Sequence, residues 1–227
     1  QTAQEVESAG GKAVPMRLDL RDTDNVRKVF DDTITQLGRI DVMVNNARYA
    51  DSGYITKLVD TEWDDLEAMI DTNFRAVLLF HHLCVPVMVR QGGGVIINLT
   101  SGAAHHDSTA MPGAGSTGIG YPVTKAASHR IAAALAREVE PHNIAVLNLD
   151  PGHTLTERHT DSQGGNVSNV NIDRSDTHGV WIPAKAAAYI ATCANPIAFT
   201  GKSIDAKPFV EEMGLATPEE LESPWKE

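Results

Sequence analysis

Tyr121 and Lys125 stand four residues apart in YPVTK, 121–125, so in a helix both side chains share one face. A tyrosine with an ordinary pKa of about 10 is a poor base at neutral pH. A lysine ammonium beside it favours the phenolate and brings proton exchange toward the working range. Ser101 closes the apolar run VIINLTS, 95–101, where a hydroxyl could hold a substrate oxygen and stabilise charge developing on it. Alone, Tyr-x-x-x-Lys also describes a plain surface pair on a helix. Company at neighbouring positions is what gives it chemistry.

A second pattern lies just before it. Gly113-Ala114-Gly115-Ser116-Thr117-Gly118 is a literal G-x-G-x-x-G. A pyrophosphate fingerprint needs a strand running straight into the glycine turn with a helix N-terminus behind it. Its acidic ribose partner belongs about twenty residues further on. Here residues 101–112 separate the strand end at Thr100 from Gly113, and Asp150, at the end of the next strand, lies beyond that spacing. The glycines therefore read as a long loop at the rim of the active site, a place for a substrate lid.

The elements that must position these residues alternate. Val14–Leu18 reads as a short strand ending at Asp19, and 22–37 as a helix with Val26, Val29, Phe30, Ile34 and Leu37 at helical spacing. IDVMVNNA, 40–47, reads as a buried strand, 61–90 as a long helix stopped by Gly92-Gly93-Gly94, and 95–101 as the next strand. A helix over 121–139, a strand over 144–150, a helix over 183–193 and a strand over 201–205 follow. Residues 157–178 are polar and without period, a mobile loop, and Thr217-Pro218-Glu219-Glu220 is a capping box. Strand and helix in alternation predict an α/β fold, a Rossmann-like doubly wound parallel sheet, in a single domain over 1–227. The opening QTAQEVESAGG reads as the end of a helix, so the chain is expected to be incomplete at its N-terminus.

Composition narrows the class. A net charge of −11, spread along the chain, disfavours a nucleic-acid surface. Two cysteines, Cys84 and Cys193, are too few for a disulfide framework, which points to a reducing, cytoplasmic setting. No apolar run of about eighteen residues is evident, so no membrane partner is expected. The histidine pairs His81-His82 and His105-His106 lack a carboxylate or cysteine at ligand spacing, so no metal is expected. Cys84 reads as a small buried hydrophobe.

Together these residues resemble the short-chain dehydrogenase/reductase family, with motifs in the right order over nearly the whole chain. Tyr121-Pro-Val-Thr-Lys125 resembles its catalytic Y-x-x-x-K, and Asn98-Leu-Thr-Ser101 the strand end whose serine polarises the substrate. Asn45-Asn46-Ala47 is similar to its N-N-A-G segment, and Asp71-Thr-Asn73 to the helix position whose asparagine holds a water on the proton relay. Asp19-Leu20 resembles the pair beside the adenine. Pro151-Gly152, with Thr154 and Thr156, resembles the turn that contacts the nicotinamide carboxamide. The resemblance implies NAD or NADP as cofactor, a small-molecule substrate and a homodimer or homotetramer. It also implies Tyr121 exchanging a proton with a secondary alcohol or its carbonyl, Lys125 lowering the tyrosine pKa and binding the nicotinamide ribose, and Ser101 holding the oxygen.

Three departures stand out. The family's first strand, glycine-rich turn, first helix and second strand are not in this sequence, so the sheet is expected to have a gap and the choice between NAD and NADP is not legible. Arg48 stands where the family has glycine; it either reaches a phosphate or points to solvent and narrows the site. Ser101 and Tyr121 are twenty residues apart, more than the family's usual spacing. Two alternatives stay open: a catalytically silent fragment acting through its oligomerisation helices, and an epimerase, dehydratase or enoyl reductase on the same fold.

Overall fold

The computed structural model describes residues 2–51, 53–156 and 177–222. Among them the chain forms strands β1 (Val42–Asn45), β2 (Gly94–Leu99), β3 (Ile144–Asp150), β4 (His153–Leu155), β5 (Thr177–Gly179) and β6 (Ser203–Asp205). β1, β2, β3 and β6 make one parallel sheet in the order β1-β2-β3-β6, and β4 pairs with β5 in a second, smaller parallel ladder.

β2 and β3 read as continuous apolar runs because both faces of a parallel sheet are covered. Their side chains alternate between two cores. Val95, Ile97, Leu147 and Leu149 face the helix Trp181–Thr192, meeting Ile182, Ala186 and Ile190. Ile96, Ile144 and Val146 face the other way, onto Met88, Ala132, Ala136 and Val139. Those residues belong to the helices that cross between strands: α4 (Ala76–Gln91) joins β1 to β2, and α5 (Gly120–Val139) joins β2 to β3. Helices on both faces make the sheet doubly wound, as its strand–helix alternation predicts. Each fully buried isoleucine or leucine in these layers contributes about 1.5–3 kcal/mol.

Ahead of them lie α1 (Thr2–Ser8), α2 (Thr23–Leu37) and α3 (Trp63–Ile70). Asp22 caps α2 by accepting from the amides of Asp24 and Asn25, and Gly38, at φ 78°, closes it. The helix expected over 61–90 forms as α3, a wider π-type turn over Asp71–Arg75, and α4, closed by Gly92 at φ 86°. This stretch, Trp63–Gln91, is 29 residues long and apolar enough by length and composition to cross a membrane, which corrects the expectation that no such run exists. Its packing against α2 and α5, and the hydrogen-bonded Asn73 inside it, are those of a core helix.

Two further expectations are corrected. Val14–Leu18 forms no strand: a strand exists only where a neighbour meets its N–H and C=O groups, and among the described residues none does. Among the described residues the sheet accordingly shows no internal gap, and β1 is an exposed edge, with Val42 and Val44 exposed. Most of the loop expected over 157–178 lies outside the described residues, but Thr177 and His178 are buried and belong to β5. The capping box forms as written: Thr217 Oγ1 accepts from the Glu220 amide at 3.2 Å, and Glu220 Oε2 from the Thr217 amide at 3.0 Å.

Candidate active site

The carboxyl ends of β1, β2 and β3 open onto one cleft of about 850 Å3, where ligands of open α/β sheets bind. Just below it a polar row crosses the sheet, because register aligns Asn45 with Asn98, Asn98 with Asn148 and Asn148 with Ser203. Asn45 Nδ2 donates to Asn98 Oδ1 at 2.8 Å, and Asn148 Nδ2 donates to the His129 carbonyl at 2.8 Å and to Ser203 Oγ at 3.3 Å. The imidazole of His129 in turn links Thr100 Oγ1 (2.8 Å) to Ser203 Oγ (3.2 Å). These bonds tie the strand ends together and set the position of Ser101, the next residue after Thr100.

α5 presents Tyr121 and Lys125 on one buried face, at 6% and 5% exposure. The start of this helix is held by glycines. A Cβ on Gly118 would stand 2.5 Å from the Thr56 carbonyl oxygen and 2.7 Å from that of Gly53. The Gly118 amide donates to the Tyr54 carbonyl at 2.7 Å, that of Gly113 to Ser116 O at 3.0 Å, and that of Ala114 to Met111 O at 2.9 Å. A pyrophosphate cradle needs such amides free; here they fasten the 113–118 loop to itself and to the 53–56 segment.

Ser101 lines the cleft with Tyr121, and its Oγ accepts from the Ala103 amide at 3.3 Å. Lys125 Nζ donates to the Leu99 carbonyl at 2.7 Å, leaving two of its three N–H groups for a ligand. Burial pushes the Tyr121 pKa up to about 12, helped by Tyr54 and opposed by Arg48 and Ser101. Burial pulls Lys125 down to about 8, with Arg48 acting the same way and Asp150 opposing. The tyrosine therefore shifts opposite to the direction its spacing from Lys125 predicts. Desolvation of the phenolate outweighs the nearby cations, and the cation that lowers it is Arg48.

Asn73 sits in the π-type turn and is buried, in a geometry that recurs at functional sites. Its Oδ1 accepts from the Tyr49 amide at 2.7 Å, and its Nδ2 donates to the Tyr49 carbonyl at 3.2 Å and Thr124 Oγ1 at 3.3 Å. Its direct partners are thus the segment after β1 and helix α5, not Lys125. Of the predicted cofactor residues, Asn46, Pro151, Gly152, Thr154 and Thr156 line the cleft with Ser101, Tyr121 and Lys125. Asp19, Leu20, Asn45 and Ala47 do not; Asp19 pairs with Arg21 on the surface at 3.0 Å. Asp150 caps the turn that follows β3, its Oδ1 accepting from the Gly152 amide at 2.9 Å.

A chain whose Tyr-x-x-x-Lys pair faces a strand-end serine across such a cleft can be compared with known proteins. Residues 1–165 match the family model described as short chain dehydrogenase. The chain belongs to the short-chain dehydrogenase family. It is therefore an oxidoreductase of the dehydrogenase/reductase kind. A relative, the 3-oxoacyl-[acyl-carrier-protein] reductase FabG of Staphylococcus epidermidis, is 28% identical over 198 residues, covering 86% of this chain and 73% of that protein. A short-chain type dehydrogenase/reductase from Mycobacterium marinum has a crystal structure that superposes with a TM-score of 0.70 at 28% identity, over 89% of this chain and 77% of that one. A metagenomic short-chain oxidoreductase in complex with NADP shares the fold, with a TM-score of 0.69 at 22% identity over 89% and 78%.

Two residues at this family site escape sequence reasoning. Tyr54 packs edge-on against Tyr121, ring centroids 4.9 Å apart at 81°, and no local spacing announces it. Thr124 links α5 to Asn73, and a threonine inside Y-x-x-x-K looks like filler until that contact is drawn.

Proposed function

We propose that the protein interconverts a secondary alcohol and a carbonyl, with NAD or NADP as cofactor and Tyr121 as the acid/base. The observation that carries this reading is the meeting of Ser101, Tyr121 and Lys125 in one cleft at the strand ends. The donor set fits the nicotinamide end of a dinucleotide: Lys125 keeps two N–H groups beyond its bond to Leu99, and Thr154 and Thr156 line the same cleft. Tyr121 and Lys125 would hold the nicotinamide ribose, and Pro151, Gly152, Thr154 and Thr156 the carboxamide. Asn45, Asn46 and Ala47 would lie along the adenosine path, with Asp19 and Leu20 toward the adenine. The relative named a reductase and the NADP-bound neighbour support this reading.

A bound nicotinamide supplies or accepts the hydride. The chain's own part is a proton and a position. Ser101 holds the carbonyl oxygen and places it beside the Tyr121 hydroxyl. With its pKa near 12, Tyr121 carries its proton at neutral pH and gives it to that oxygen as carbon gains hydride, so the carbonyl becomes an alcohol. In the reverse direction Tyr121 must first ionise, which favours reduction near neutrality. Lys125, held by the Leu99 carbonyl at 2.7 Å, would offer its remaining N–H groups to the nicotinamide ribose. We further propose self-association through α4 and α5, where Leu78 and Val123 are exposed.

The test is Tyr121→Phe, assayed with NADH and NADPH on a panel of ketones. Turnover is expected to fall by about 10²–10⁴-fold, and unchanged turnover would overturn the acid/base role.

A further inference from the structure

Arg48 is the residue of this site that its family resemblance leaves unexplained. Its guanidinium carbon lies 5.3 Å from the Tyr54 ring centroid and 5.7 Å from that of Tyr121. Cation–π contact with two aromatic rings helps hold a guanidinium in place. Its Nη1 is buried and has no hydrogen-bond partner. Among the described residues no carboxylate forms an ion pair with it, and the aspartate closest to the catalytic pair in its effects, Asp150, is committed to the Gly152 amide at 2.9 Å. A cationic nitrogen withdrawn from water without an anion is costly unless a ligand completes it.

We propose that Arg48 makes this an anion-binding active site, and that the substrate is an oxo or hydroxy acid whose carboxylate lies one or two carbons from the reacting carbon. The inference rests on the acid/base reading of Tyr121, since the anion held by Arg48 stands beside the ring that exchanges the proton. A planar fork of N–H donors matches a carboxylate bidentately. The cofactor's phosphates are the other source of an oxyanion. In a dinucleotide, however, a ribose separates them from the nicotinamide, whereas Arg48 makes a cation–π contact with the Tyr121 ring, 5.7 Å from its centroid.

Calorimetric binding of 3-hydroxybutyrate and of its methyl ester to the chain, with NADH or NADPH saturating, tests this. The acid is expected to bind about tenfold or more tightly than the ester. Arg48→Met should erase that preference and Arg48→Lys should keep part of it, with circular dichroism confirming that each variant is folded. Equal binding of acid and ester, binding of neither, or a preference that survives both Arg48→Met and Arg48→Gln would overturn the proposal. So would a preference left intact while Arg48→Met weakens NADPH or NADH, which would assign the anion to the cofactor's phosphate. Tyr121→Phe separates the two readings: it should keep the acid preference and lose turnover. If it kept turnover, the acid/base role would fall while the anion subsite stood.

Discussion

Tyr121 and Lys125 are governed by burial more than by each other. One is pushed up to about 12 and the other down to about 8, desolvation being the largest cause for both. Arg48 lowers both pKa values, favouring the phenolate and disfavouring the ammonium. Removing it in Arg48→Met should therefore raise both. In alcohol oxidation, which needs the phenolate, the alkaline rise in rate should move to higher pH; a pH–rate profile checks this, and an unmoved limb would count against the assignment. Ser101→Ala removes a hydroxyl that favours the Tyr121 phenolate and would hold the substrate oxygen. It should lower turnover by about 10²–10³-fold with little change in melting temperature. Tyr121, Lys125 and Ser101 were legible as a set because helical spacing and a strand end are local properties. Tyr54 was not, because its contact with Tyr121 comes from a segment far along the chain that folds over α5.

Among the elements, the π-type turn and the glycine loop carry the precision of the site. Asn73 is buried and bonded to both polar groups of Tyr49's backbone and to Thr124. Asn73→Leu should cost about 1–3 kcal/mol by orphaning those groups, and should lower turnover further by freeing the segment that carries Arg48. Denaturant unfolding and kinetics on the same variant separate the two effects. Gly118→Ala puts a Cβ against two backbone carbonyls that cannot rotate away. It should displace the start of α5, cutting both stability and activity, while Gly38→Ala, with open space around its Cβ site, pays only for its positive φ. The helices and the central strands were readable from their apolar period. The strand expected at 14–18 was not a strand, because apolar residues make a strand only with a partner to pair with.

For the molecule as a whole, acid should be the destabilising direction. His81 is buried at 3% exposure, its Nδ1 lies 2.7 Å from the Val77 carbonyl, and its Nε2 has no partner. Burial lowers its pKa below the ordinary 6.5. The folded state thus binds fewer protons than the unfolded one as pH falls through that value, so stability present above it is lost below it. The melting temperature should fall as pH drops below about 6.5, the ordinary histidine value, and His81→Gln should flatten the drop. Leu78→Glu tests self-association: by light scattering the mass should fall toward that of one chain, and an unchanged mass would remove α4 from the interface.

The sequence by itself determined the α/β alternation, the two buried central strands and the chemistry-bearing trio, because period, caps and short spacings are written in neighbouring residues. It also disfavoured the 113–118 glycines as a pyrophosphate turn on spacing alone, and the amides of Gly113, Ala114 and Gly118 bond carbonyls of the protein. Only the tertiary structure decided what Arg48 touches, that Asn73 fastens the chain after β1 to α5, and that Tyr121 is raised rather than lowered. Each of these depends on which residues remote in sequence exclude water from a charge, and desolvation is a property of the packed site that no local pattern encodes.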